Sequence, residues 1–442
     1  MTIANFPAAL VPAIQTGFLE REFRDGLRSN IVYRSVASME LFPSNVGETI
    51  TKTRKGLKAP VTAALDPSTN TNLDNGLTPS GWTIEQYQLG VNMYGDTVDL
   101  NMVTQRVGIE DLFLHNARTN GMQAAQSIDR LARQALLDAY MSGNTRVRAT
   151  NSGSQTYVDV DDVRGFQTVP VNGVMTAVSS GNPLAITVNG TAVNVTAVTL
   201  DTVNVSSVAA LGGKSGRLTT DASVTQTDAT ANNAVLSTLA PTVLRPNARA
   251  TTKHLTASDL FSMGIVLDAV TQLRNNAVPT VGGLYNCYLD NTSARQLFAD
   301  PDFKQLFQGS NAAQEFRNGR VIELLDVRFL PTTEAVQQSL VNASSATVNV
   351  HRPIVCGEGA LVEGVFDSTA YSNLGNNGAM VDVVEGIAMI TRPSLDRLQQ
   401  IIAQSWYYIG GFVCPTDVTA TSTIIPTANS ALFKRAVMIE HG

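Results

Sequence analysis

The sequence predicts an α+β protein carrying an all-β insertion, and three observations carry that reading. A run of about forty residues from Thr104 keeps its apolar side chains at a 3.6-residue rhythm. The stretch 165–250 alternates apolar and polar residues and holds no aromatic residue after Phe166. Beyond Thr256, short helical patterns alternate with strand-like runs, which implies layered sheets and helices. With 442 residues, 43% of them hydrophobic, the chain has room for two or three domains with sizeable cores.

The first element is a helical arm from Phe6 to Tyr33. Leu10, Ile14, Phe18, Phe23 and Leu27 recur near helical spacing, with Glu20, Arg21, Arg24 and Asp25 on the other side. Pro7 suits a first turn, and Pro12 sets the start of the regular helix. Next comes "GETITKTRKGLKAPVTAALDPSTNTNLDNGLTPSGW", Gly47 to Trp82. It opens as a strand, turns basic at Lys52, Arg54, Lys55 and Lys58, and then offers little to bury. Its return limb, Trp82 to Thr104, alternates in part, so the two limbs read as an extended hairpin. Two strands alone are marginal, and a loop this long inside a domain has a function or is disordered.

The long helix follows. Ile109, Leu112, Met122, Ala125, Ile128, Leu131, Ala132, Ala135, Leu136 and Ala139 keep the rhythm, Thr104 stands at the cap and Gly143 at the C′ position. Gly121 marks a bend. A continuous helix here spans roughly 55 Å at 1.5 Å per residue, longer than a small domain is wide. In the insertion, Asn172-Gly173 and Asn189-Gly190 each lie between alternating runs, the strongest short hairpin signal. A capping box at Thr256 and Asp259 starts a helix through Leu260, Met263, Leu267 and Val270. The segments "LYNCYL", "NGRVIELLDVRFLPTTEA", "HRPIVCGEGALVEGVF" and "AMVDVVEGIAMIT" read as strands, with "NTSARQLFADPDFKQLFQ" as a short helix and turn among them.

Charge and motifs exclude several kinds of chemistry. Charged residues make up only 15% of the chain, the formal net charge is −6, and no basic stripe appears, so dedicated nucleic-acid binding is disfavoured. Cys287, Cys356 and Cys414 are odd in number and far apart, which argues for buried thiols in a reducing compartment rather than disulfides or zinc. The N-terminal stretch has no basic region before Arg21, and no apolar run approaches the ~20 residues that span a bilayer. A soluble protein made in a cytoplasm is expected. His115, His254, His351 and His441 are isolated and read as surface or satisfied core residues. "GGKSG" (212–216) lacks the first glycine of a phosphate loop, Val208 standing in its place, and reads as a turn. "GEGALVEG" (357–364) has Val362 where a dinucleotide loop needs glycine. Asp161-Asp162 reads as a solvated turn. No acid, base, nucleophile or metal constellation emerges, so neither an enzyme nor a cofactor is expected. For Lys52, Arg54, Lys55 and Lys58 two readings stand: a solvated hairpin limb, or complementarity to an acidic face on another subunit.

The order of parts resembles the major capsid proteins of tailed bacteriophages, the Hong Kong 97-like capsid fold. It rests on the arm, the polar-tipped hairpin, the long helix, the β insertion, and then "LTASDLFSMGIVLDAV" and "NGRVIELLDVRFLPTT" ahead of closing strands. The resemblance implies an N-terminal arm at 1–45 and an extended loop at 46–103. It places a peripheral domain with the spine helix at 104–164, the insertion domain at 165–250, an axial domain at 251–345 and return strands at 346–442. It implies hexamers and pentamers in an icosahedral head around double-stranded DNA, with only weak non-specific DNA contact, no membrane and no cofactor. A separate scaffolding protein, a portal and optionally a decoration protein become expected partners, and the virion the expected location. Lys52, Arg54, Lys55, Lys58 and Trp82 become the inter-subunit residues, and Lys52, Lys55 and Lys58 match by type the lysines that some relatives crosslink. The alternatives are another virion or cell-surface β-rich adhesion protein and an α/β enzyme.

Overall fold

The computed structural model describes residues 21–26, 32–42, 48–62, 64, 68, 84–101, 109–204, 206, 208–308, 323–366, 380–392, 397, 401–417, 424–429 and 432–442. In chain order, β1 (Ala37–Phe42), β2 (Thr49–Lys55), β3 (Ile84–Gly90) and β4 (Asn92–Asn101) precede helix α1 (Ile109–Tyr140). Then come β5 (Asn144–Arg146), β6 (Gln155–Val160), β7 (Thr168–Val171), β8 (Val174–Ala177), β9 (Leu184–Val188), β10 (Thr191–Leu200), β11 (Gly216–Val224), β12 (Ala234–Ser237) and β13 (Val243–Leu244). Helix α2 (Met263–Asn275), β14 (Tyr285–Leu289), α3 (Asn291–Ala299) and α4 (Pro301–Gln308) follow. The chain continues through β15 (Glu323–Leu324), β16 (Val327–Pro331), β17 (Gln337–Val341), β18 (Thr347–His351), β19 (Ile354–Cys356) and β20 (Leu361–Phe366). Last are β21 (Met380–Val384), β22 (Ile387–Arg392), β23 (Ile401–Val413) and β24 (Ala436–Ile439). The fold is mixed α and β, and the chain divides into two compact units.

The first unit holds residues 1–50, 88–135 and 361–413. Its sheet runs β1-β20-β23-β22-β21, with β4 also on β23. The 13-residue β23 is the organising strand, and it pairs with β4, β20 and β22 in antiparallel register. Against this sheet, Ala117, Ala124, Ala125 and Ile128 of α1 pack on Met389, Trp406 and Tyr408. Small side chains let the helix lie close, which is why the sequence places alanines at that spacing. Residues 21–26 are helical, and Phe23 joins the same core. A Cβ on Gly26 would overlap the carbonyl oxygen of Arg118, so only glycine fits where this segment crosses α1.

Helix α1 is 32 residues long, about 48 Å at 1.5 Å per residue. It runs through Gly121 without interruption; Thr104 lies outside the described residues. Gly143 is left-handed (φ 70°), as a C′ glycine should be, but its N–H donates to Arg164 O at 2.7 Å instead of to a carbonyl of its own helix.

The second unit holds residues 51–87, 136–360 and 414–442. The insertion's strands form a six-stranded antiparallel sheet, β5-β12-β9-β10-β11-β6, over a valine-rich core closed by Phe166. β5 and β6 belong to this sheet although they precede residue 165, where composition shifts. Aromatic content falls there, but the pairing partners of β11 and β12 lie upstream. Asn189-Gly190 (φ 51°, 87°) joins β9 to β10, and Asn172-Gly173 (φ 51°, 80°) joins β7 to β8, both in the left-handed geometry of a two-residue hairpin turn. The "GGKSG" stretch is a turn leading into β11.

A third sheet, β13-β24-β19-β14-β16-β15, packs with α2, α3 and α4 around Val266, Val270, Leu273, Cys287, Phe303 and Phe329. Its β14–β16 and β13–β24 pairs are parallel. Helix α2 begins at Met263, not at Thr256. The Asp259 carboxylate takes the N–H and hydroxyl of Thr256 at 2.8 and 2.9 Å and also meets Asn247 and Arg249. It therefore closes a turn instead of reaching back from a helix, and Asp300 accepts the Met263 N–H at 2.7 Å.

Candidate inter-subunit surface

Two strands, β2 and β3, pair only with each other among the described residues and form a two-stranded arm. Burial along β2 alternates between half-buried and exposed, with no fully buried position. Beyond it the chain stays open to solvent: Leu57 is 52% and Val61 87% exposed. An apolar side chain left in water gains nothing from its own fold, so this segment suits burial by another surface.

The five sequence-selected residues do not behave alike. Lys52 is half-buried in β2, Lys55 is exposed at its end, and Lys58 is exposed beyond it. Trp82 lies outside the described residues. Arg54 turns inward within its own unit: Nη2 donates to Gly359 O at 3.1 Å, and Nη1 lies 4.0 Å from Asp417 Oδ2. Burial, then the neighbouring Arg435, lowers the Arg54 pKa. The strand opposite is held too. The Gln86 N–H donates to Gly173 O at the tip of the β7–β8 hairpin, at 3.0 Å, and the Thr416 hydroxyl donates to the buried Glu85 carboxylate at 3.3 Å. A Cβ on Gly173 would overlap Ile84 O. The arm's base is thus fixed by its own chain, on β2 through Arg54 and on β3 through the insertion.

Sequence reading treats the histidines as isolated, yet two of them meet. The rings of His351 and His441 stack with centroids 5.1 Å apart. His351 Nδ1 lies 3.0 Å from Asp290 Oδ2, and His441 Nε2 lies 2.7 Å from the Ser293 hydroxyl, which itself donates to Asp290. These residues are buried. Asp290 also caps α3 by accepting the Thr292 and Ser293 N–H groups. The set is not an acyl-transfer triad, because His441 Nδ1 faces Gly442 O at 3.2 Å and no carboxylate orients it. Burial, more than any neighbour, pushes His441 down to about 4. Only Asp290, sitting before a helix-like run, carries a sequence signal; β18 and the segment after β24 meet through long-range pairing that no local pattern announces.

Nearby, Glu440 is fully buried between Arg245 (Nε 2.8 Å) and Arg352 (Nε 2.9 Å), with the Thr252 hydroxyl at 2.8 Å. Burial alone would raise its pKa; the two guanidiniums hold it at about 2. Cys287, Cys356 and Cys414 are buried free thiols whose pKa burial raises. Among the described residues, no grouping of three His, Cys, Asp or Glu suits a metal ion, and no helix is long and apolar enough to cross a membrane.

No family model matches the sequence, and no curated protein matches it. Among solved structures, the chain is similar to the capsid of Ralstonia phage GP4, at 11% identity and TM-score 0.48, covering 93% of this chain and 91% of that one. It is similar to the capsid of Cyanophage P-SCSP1u, at 10% identity and TM-score 0.48, covering 93% and 88%. It is also similar to the Cyanophage Pam1 capsid asymmetric unit, at 12% identity and TM-score 0.45, covering 95% and 92%.

Proposed function

We propose that the chain is the major capsid protein of a tailed bacteriophage. It assembles with itself into hexamers and pentamers of an icosahedral head enclosing double-stranded DNA. The observation that carries this reading is the β2–β3 arm, anchored at its base and exposing Leu57 and Val61 beyond β2. A subunit built for a shell needs elements whose burial is supplied by neighbours, and contacts that close into rings and cages. The element order supports the same reading, with arm, 32-residue helix, β insertion and α/β layers following one another as in the Hong Kong 97-like fold. In this reading Lys52, Lys55 and Lys58, with Trp82, meet an acidic face of an adjacent copy, which gives orientation more than affinity. Arg54 holds the arm instead. A separate scaffolding protein, a portal and optionally a decoration protein complete the assembly. DNA contact is weak and non-specific, in keeping with the net charge of −6.

The test is expression of the full chain, alone and together with the scaffolding protein that this reading expects, followed by negative-stain microscopy. Closed particles are expected. A dispersed monomer or small oligomer under every condition would overturn the reading.

A further inference from the structure

One pairing carries the third sheet into the β17–β18 hairpin. The β19–β24 ladder runs on past Pro353, whose carbonyl takes the Ile439 N–H at 2.9 Å. It ends where His351 and His441 exchange both backbone hydrogen bonds, at 3.0 and 3.1 Å. Among the described residues, β17 and β18 otherwise pair only with each other. The side chains at this last pairing are the two stacked imidazoles, whose planes lie 15° from parallel. Both residues are buried, His441 completely.

Charge around the two rings is lopsided. Asp290, before α3, supplies a carboxylate to His351, Oδ2 lying 3.0 Å from Nδ1. That carboxylate also accepts the Thr292 and Ser293 N–H groups and Gln337 Nε2 of β17, the last at 3.0 Å. The His441 ring has neutral neighbours besides His351: the Ser293 hydroxyl at Nε2, Gly442 O at Nδ1, and Phe261 with ring centroids 5.3 Å apart. The flanking acids are engaged elsewhere, Glu440 by Arg245 and Arg352, Asp259 by Asn247 and Arg249. One carboxylate offsets one imidazolium. A second proton sets two like charges face to face where solvent screens poorly.

We propose that the stacked His351–His441 pair is a pH-operated latch: protonation of both rings parts residues 351 and 441 and releases the β17–β18 hairpin from the third sheet, which itself stays folded. Opening moves the rings into water, where their charged forms are solvated, so acid favours the open form. The low pKa of His441, set chiefly by burial, has the matching sign: the closed form holds the proton more weakly than an exposed imidazole does. The hairpin exposes Ser339 and Val341, so opening shifts a surface that faces solvent. The latch belongs to the single chain and does not depend on assembly.

The experiment is hydrogen–deuterium exchange of the full chain, dispersed, read by mass spectrometry. Protection is taken relative to the unstructured rate at each pH from about 7 to about 4.5. Peptides covering 347–353 and 436–442 should lose protection about 50-fold over that range, as expected when an imidazole moves from about 4 to 6.5 on opening. Peptides of β9 and β10, which hold no titratable side chain, should keep theirs. His441→Gln should abolish the loss and His351→Gln should reduce it, whereas His115→Gln, at an exposed position, should leave it unchanged. The comparison of the two regions in the wild type decides even where a variant folds poorly. Protection that persists at 347–353 and 436–442 down to the lowest pH, or falls equally in β9 and β10, would overturn the latch. So would an equal loss in the wild type and His441→Gln.

Discussion

Arg34 meets Glu363 across 329 residues of sequence, its Nε 3.0 and 2.8 Å from the two carboxylate oxygens, with both side chains buried. The Tyr408 hydroxyl donates to the same carboxylate at 2.8 Å, and Arg34 Nη2 donates to Glu385 O at 3.0 Å. One residue upstream the chain is held again: Asp129 Oδ1, on α1, accepts the N–H groups of Val32, Tyr33 and Arg34 at 3.0, 2.6 and 3.3 Å. These contacts deliver β1 to β20 in parallel register, Ala37 opposite Leu361.

Breaking this pair from one side should therefore be severe. Removing one partner strands a buried charge and costs about 3–5 kcal/mol, whereas replacing both with apolar groups often costs far less. Glu363→Gln and Arg34→Met are each expected to lower urea-unfolding stability by that amount. The Arg34→Met, Glu363→Leu double variant should recover part of it. Strictly additive losses in the double variant would show that the two residues are not coupled.

Gly173 and Gly190 offer a matched comparison. Both occupy left-handed positions in Asn-Gly turns, φ 80° and 87°. A Cβ on Gly190 meets nothing within 4 Å, whereas one on Gly173 overlaps Ile84 O in the arm. Gly190→Ala should cost only the backbone strain, about 1–2 kcal/mol. Gly173→Ala should cost more and speed amide exchange at Gln86, whose N–H donates to Gly173 O. Equal stability losses and unchanged exchange at Gln86 would remove the insertion from its role in seating the arm.

Two buried groups contribute to the protein's acid response in separate pH windows. His441 titrates at about 4 in the fold against an ordinary 6.5, so between those values the unfolded chain binds more protons. Stability should fall as pH drops from 6.5 to 4, by on the order of 3 kcal/mol. Glu440 acts lower. Its pKa of about 2 against an ordinary 4.5 means its contribution is full above 4.5 and is lost as pH falls toward 2. His441→Asn should flatten the stability profile between pH 6.5 and 4 while leaving the lower limb in place. An unchanged slope in the upper window would refute the assignment.

Local physics made some of this legible in the sequence. The rhythm of α1 and the two Asn-Gly turns depend on neighbours in sequence, and both appear where their patterns place them. What pattern reading misses depends on distant partners. Thr256 and Asp259 look like a helix start, but Asp259 is claimed by Asn247 and Arg249. His351 and His441 look isolated until the pairing of residues 351 and 441 stacks them. Arg54 counts among four basic residues, yet its partners Gly359 and Asp417 lie more than three hundred residues onward and separate it from the lysines beside it.

That separation gives the assembly prediction. If Lys52, Lys55 and Lys58 serve a neighbouring copy, reversing the charge of the exposed two should spare the fold and harm the shell. The Lys55→Glu, Lys58→Glu double variant should keep the wild-type Tm within a few degrees, since exposed charges contribute about 0–1 kcal/mol each. It should give few closed particles with the scaffolding protein, and raised salt should weaken the difference because surface charge pairs are screened. Arg54→Gln should behave in the opposite order, losing stability in the dispersed subunit before assembly is reached. Deleting Pro60 to Thr78 separates arm from fold more bluntly: a folded, soluble chain that fails to close shells is expected. Normal particles from both the lysine variant and the deletion would take the arm out of assembly, whatever the fate of the capsid reading itself.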